Sequence, residues 1–90
     1  MGKVATEIET RLRAALEPMQ LAVIDDSDQH HGHAGHDGNG ESHFTVRVTA
    51  AAFAGQSRLA RQRAIHAALG DLLAPGGVHA LAIEARAPGE

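Results

Sequence analysis

Five of the chain's seven histidines, His30, His31, His33, His36 and His43, fall between residues 30 and 43. Neutral imidazole is a good ligand for zinc, nickel, copper and iron, and histidines on a Gly-rich tract are compositionally a metal binder. Their intervals match no zinc-finger spacing, and chelation by a free loop must first order its backbone. The tract therefore reads as a source of conditional ligands among solvated neighbours such as His31 and His36, not as a closed zinc site. His79 stands apart, following Gly76-Gly77 and opening a predicted strand on the face of Leu81 and Ile83. Packing, hydrogen bonding and ligation are all open to it. A third group, Arg58, Arg61 and Arg63, forms a small basic run that is either a solvated helix face or a nucleic-acid contact. No Ser-His-Asp or Cys-His set and no Gly-rich phosphate loop is visible, so a binding protein rather than an enzyme is expected.

Ninety residues make one domain, 1–90, with no room for a second. Phe44 and Phe53 are the only aromatic residues, so the core must be built from Leu, Ile, Val and Ala, and stacking platforms for single-stranded bases are nearly absent. The formal charge is −3 with neutral histidines and inverts to +4 if all seven are protonated. That is not a constitutively basic nucleic-acid footprint. Cysteine is absent, so any sulfur ligand must come from another molecule. No membrane-length apolar run and no signal peptide is found, which predicts a soluble cytoplasmic protein without a membrane partner.

The elements that must position these residues follow from periodicity. Thr6 and Glu9 have capping-box spacing ahead of Ile8, Leu12, Ala15 and Leu16, predicting a helix over 6–17 stopped by Pro18. Leu21, Val23 and Asp25 alternate with Ala22 and Ile24 as a short strand. His43 to Thr49 alternates most clearly, with Phe44, Val46 and Val48 on one face. The Asp37-Gly38 and Asn39-Gly40 turns suggest that the two strands pair antiparallel across a histidine-rich loop of about 26–42. Ser57 is placed to cap a second helix running to about Ala74, with Leu59, Ile65, Ala68, Leu69, Leu72 and Leu73 in one apolar arc. Pro75-Gly76-Gly77 ends it, Val78 to Arg86 reads as a third strand, and a frayed tail is expected from Pro88. The order α-β-β-α-β predicts an α+β domain with helices packed on one face of a three-stranded sheet. The last strand, reached through a helix, can add parallel to one of the first two.

Several short motifs, in order, resemble the BolA family. They are Asp25-Asp26-Ser27, the histidine loop, Gly40-Glu41-Ser42-His43-Phe44, Phe53-Ala54-Gly55, Arg61-Gln62-Arg63 and Val78-His79-Ala80-Leu81. The resemblance covers about residues 21–88 and implies a BolA-like fold with class II KH-like topology. It further implies a heterodimeric partnership with a monothiol glutaredoxin that shares a [2Fe–2S] cluster, in iron–sulfur cluster assembly, trafficking or iron homeostasis. The partner would supply its cysteine and a bound glutathione thiolate. This chain would supply His79 and one loop histidine, His30 or His33, with His43 ranked below them as a metal ligand or loop-orienting residue. The middle position of Arg61-Gln62-Arg63 departs from the Arg-His-Arg common in the family, so no role transfers to Gln62. Two other readings stand beside this one: a DNA-binding transcriptional regulator using Arg58, Arg61 and Arg63, and a divalent-metal binder using the loop alone. Weak self-association of the isolated chain is compatible with all three.

Overall fold

The computed structural model describes residues 2–26, 43–73, 78 and 80–90. Helix α1 spans Lys3–Leu16 and buries Ala5, Ile8 and Leu12, one residue per turn on a single stripe. It starts a turn earlier than the Thr6 and Glu9 spacing predicts. The Thr6 hydroxyl donates back to the Gly2 carbonyl at 2.9 Å instead of accepting from the helix start, and Glu9 accepts from Arg13 at 2.8 Å. A threonine can spend its hydroxyl on the carbonyl four residues back as readily as on a cap, and spacing alone does not distinguish the two. At the other end Glu17 turns left-handed, with φ 47°, and Pro18 cannot continue the ladder.

Strand β1, Gln20–Asp25, pairs antiparallel with β2, His43–Thr49, from Gln20 opposite Thr49 to Asp25 opposite Phe44. Strand β3, Ala80–Arg86, lies parallel to β2, with His43 opposite Ala80 and Thr49 opposite Arg86. The sheet order is β1-β2-β3, so the strand with the cleanest alternation is the central one. Its Phe44, Val46 and Val48 are buried against the helices, flanked by half-buried Leu21 and Val23 on one side and Leu81, Ile83 and Ala85 on the other. The predicted third strand began at Val78. Instead the Val78 N–H donates to the Leu72 carbonyl at 2.8 Å and its side chain is buried, so this residue ties the approach to β3 to the end of the second helix.

Helix α2 runs Arg58–Leu69, and the Ser57 side chain accepts from the Ala60 N–H as the sequence predicts. Ser57→Ala should therefore destabilise the domain by about 1 kcal/mol, read as a lower denaturation midpoint with an unchanged slope. The α-helix stops short of the predicted Ala74, which lies outside the described residues. Gly70 takes φ 49° and Gly70–Leu73 winds as a 3-10 turn. Ile65 and Leu69 are fully buried, but Leu59, placed in the same arc from sequence, is 56% exposed. Leu59 lies about 120° around the helix from Ile65, at the margin of the stripe. Arg11 fastens the two helices, donating to the Leu69 carbonyl at 2.8 Å and to Asp71 at 2.7 Å. Among the described residues no helix is long and apolar enough to cross a membrane.

The tail is not frayed. Glu90 accepts from both Arg61 Nη atoms, at 2.6 and 2.7 Å, and its N–H donates to the Ala87 carbonyl across a turn. Ala87 is buried as a result.

Candidate ligand-bearing end of the sheet

The topology fixes which chain segments meet. An antiparallel hairpin makes β1 end where β2 begins, and a parallel β3 must begin at that same end. Asp25 therefore faces Phe44, and His43 faces Ala80. The loop leaves β1 just past Asp26 and returns at His43, while Ala80 follows His79 in the sequence. The described residues that flank both histidine-bearing stretches thus meet at one end of the sheet.

On the sheet face away from the helices, this end carries a shallow depression lined by Asp26, His43, Thr45, Ala80 and Ala82. Strand alternation explains why: Phe44 and Val46 point into the core, so His43 and Thr45 point out. The Thr45 hydroxyl donates to Asp26 Oδ2 at 2.5 Å, which fixes the carboxylate at the start of the loop. His43 is half-buried at the first position of β2. The other candidate ligands, His79, His30 and His33, lie outside the described residues. Among the described residues, no group of three or more His, Cys, Asp or Glu side chains is close enough to hold a metal ion. The described part of this end thus offers a carboxylate and an imidazole beside small residues.

The three arginines do not form one patch. Arg58 and Arg63 are exposed, but the Arg61 side chain is only 12% exposed. Arg61 donates from Nε to the Gln56 carbonyl at 3.1 Å, from Nη1 to the Ala85 carbonyl at 3.1 Å, and in a fork to Glu90. Its guanidinium also sits 5.9 Å from the centre of the Phe53 ring. Sequence reasoning missed this role because the partners lie 24 and 29 residues further along, and no local pattern announces such pairs.

The Arg61 fork, helped by the Ala87 N–H, lowers the Glu90 carboxyl to about 2. A depressed carboxylate contributes stability that is complete above its unfolded value, near 4.5, and is lost as pH falls toward the folded one. Denaturation midpoints of the wild type and Glu90→Gln should therefore differ at pH 6 and converge at about pH 2. A difference that stays constant across that range would contradict the ionic fork.

A family model described as BolA-like protein matches residues 12–90. A protein of Sinorhizobium sp. called "Uncharacterized protein in cobS 5'region" is 54% identical over 87 residues, covering 92% of this chain and 89% of that protein. BolA-like protein 1 of Pongo abelii is 47% identical over 90 residues; the match takes in all of this chain but only 62% of that protein's length. The DNA-binding transcriptional regulator BolA of Escherichia coli (strain K12) is 40% identical over 80 residues, covering 89% of this chain and 71% of that protein. Among solved structures, the BolA domain of SufE1 from Arabidopsis thaliana superposes with a TM-score of 0.84 at 40% identity, covering 98% of this chain and 95% of that one.

Proposed function

This chain belongs to the BolA-like family, and from that premise we propose that it is an adaptor that binds a monothiol glutaredoxin and shares a [2Fe–2S] cluster with it. The observation that carries the reading is the register of β2, which sets His43 opposite Ala80 and Phe44 opposite Asp25. That register brings together the described strand ends, Asp25, His43 and Ala80, that flank the loop histidines and His79 in the sequence.

The donor set fits a half-site. The chain has no cysteine, so it offers no thiolate, and of its imidazoles only the neutral form ligates. His79 and one of His30 or His33 would take two of the cluster's four terminal positions, and the glutaredoxin cysteine and its glutathione would supply thiolates for the other two. The cluster, when bound, supplies the covalent link between the two proteins and an electron-accepting centre. Asp26, held by Thr45, and His43, at the head of β2, brace the strand ends from which the ligands depart. The chain acts by binding and orienting, not by catalysis. Mixing it with a glutathione-loaded, cluster-bearing monothiol glutaredoxin should give, by native mass spectrometry, one copy of each chain with one glutathione and one cluster. A glutaredoxin homodimer that persists unchanged at equimolar adaptor would sink the proposal.

A second reading, DNA binding, is favoured by the name of the Escherichia coli relative and by the exposed Arg58 and Arg63. It draws less support from Arg61, whose guanidinium is committed within the fold. Binding to short duplexes that falls steeply with salt would favour it. The third reading, divalent-metal binding by the loop alone, requires nickel or zinc affinity that survives His79→Ala and disappears when the loop is deleted.

A further inference from the structure

Strand β3 is an outer strand. Its Arg86 carbonyl accepts from the Ala50 N–H at 3.0 Å, just past the end of β2. In a parallel ladder alternate residues turn their backbone groups to opposite sides, so Ile83 and Ala85 turn theirs away from β2. The Ala85 carbonyl is indeed met from outside, by Arg61. Beside this edge runs an open groove between α2 and β3, lined by Arg58, Arg61, Gln62, Ile83, Ala85 and Arg86.

One end of the groove is a built carboxylate receptor. Arg61 is held independently of Glu90 by the Gln56 carbonyl, the Ala85 carbonyl and the Phe53 ring. The fork it presents matches a carboxylate in both planarity and spacing, and the Ala87 N–H adds a third donor at 3.1 Å. The receptor side chain is 12% exposed, whereas Glu90, seated in it, is 45% exposed. The fixed partner is the arginine and the exchangeable one is the carboxylate. Arg58 extends the positive charge along the groove, whereas Arg86 is paired with Glu84 at 3.7 Å.

We propose that this groove binds an extended peptide segment of a partner protein, added as a fourth strand on the outward Ile83 backbone and the Ala85 N–H while the Ala85 carbonyl stays with Arg61, with a glutamate or aspartate side chain that replaces Glu90 on Arg61. Backbone pairing supplies affinity and the arginine fork supplies the preference for an acidic side chain. Glu90 is then a competitor built into the chain, which occupies the arginine fork until a better-placed carboxylate arrives. The inference is independent of cluster sharing, because none of its residues belongs to the ligand-bearing end of the sheet.

The test uses the full chain, isotopically labelled, with a fluorescein-tagged Thr-Val-Glu-Val-Thr peptide and its Gln and Lys analogues. The Glu peptide should bind about tenfold more tightly than the Gln analogue, slow the exchange of the Ile83 and Ala85 amide protons, and bind more tightly still to Glu90→Gln. Arg61→Gln should erase the discrimination between the Glu and Gln peptides. Equal binding of the three peptides, or affinity unchanged by Glu90→Gln, would overturn the proposal. Displacement of the Glu peptide by a short DNA duplex at low salt would overturn it in favour of a nucleic-acid surface. Protection of the β3 edge that rises with protein concentration alone would overturn it in favour of a second copy of this chain.

Discussion

Phe53→Ala should destabilise the domain by roughly 3–5 kcal/mol and lower its melting temperature by on the order of 20 °C. Phe53 is fully buried, one of only two aromatic side chains in the chain, and it closes the 3-10 turn Ala51–Phe53 between β2 and α2. Its removal leaves a cavity in a close-packed core built from Ile8, Leu12, Ile65 and Leu69 of the helices and Val46 and Val48 of the central strand, which relaxes only in part around the gap. It also takes away the ring beneath the Arg61 guanidinium, a contact of about 0.5–1 kcal/mol in partly exposed settings. A domain of this size commands only about 5–15 kcal/mol in total, so the variant should approach the limit of folding at 37 °C. Thermal unfolding followed by far-UV circular dichroism would check this. A melting temperature within about 5 °C of the wild type would mean that the core repacks around the gap.

The second large effect belongs to the ligands. His79→Ala should weaken the cluster-bearing complex with glutaredoxin at least about tenfold, because the vacated iron position has no second imidazole anchored at the head of β3. His30→Ala and His33→Ala should each do less singly, since the other can take up the position, and the double variant should approach the His79→Ala effect. His43→Ala should weaken the complex less than His79→Ala, since the proposal gives it a supporting place at the start of β2 and no iron position. Sedimentation velocity at a fixed ratio of the two proteins reads these differences directly. A double loop variant that binds like wild type would remove the loop from the ligand set while leaving His79 in place.

The central strand was legible from sequence to the residue, whereas β3 begins two residues later than its apolar pattern suggests. The alternation of Phe44, Val46 and Val48 marks a strand buried on one face, and the observed β2 spans the predicted residues. The parallel placement of β3 follows from the helix that precedes it. The start of α2 was also legible, because Ser57 follows a Gly-containing turn and has no helical carbonyl behind it to bond. Thr6 misled for the converse reason: four residues ahead of it stands Gly2, whose carbonyl it reaches, so the same hydroxyl served the helix interior. Leu59 and the end of α2 were misplaced because helical periodicity gives the direction of a face but not where packing stops.

For the candidate site, sequence supplied the residue types, and topology brought together the described strand ends, Asp25, His43 and Ala80, that flank them. That His43 would face Ala80 depends on the register between β2 and β3, which is set by side chains packed under α1 and α2 and not by any local motif. The pairings of Arg61 with Glu90 and of Arg11 with Asp71 span 29 and 60 residues. They are consequences of the fold and could be found only in it.

The most direct measurement is a visible circular dichroism titration of this chain into glutathione-loaded, [2Fe–2S]-bearing monothiol glutaredoxin, repeated with His79→Ala. Replacement of a thiolate environment by mixed thiolate and imidazole ligation alters the charge-transfer bands. The account predicts a new spectrum that saturates at one adaptor per cluster and does not develop with the variant. A spectrum that stays that of glutaredoxin alone through excess wild-type chain, or one that changes identically with His79→Ala, would contradict it.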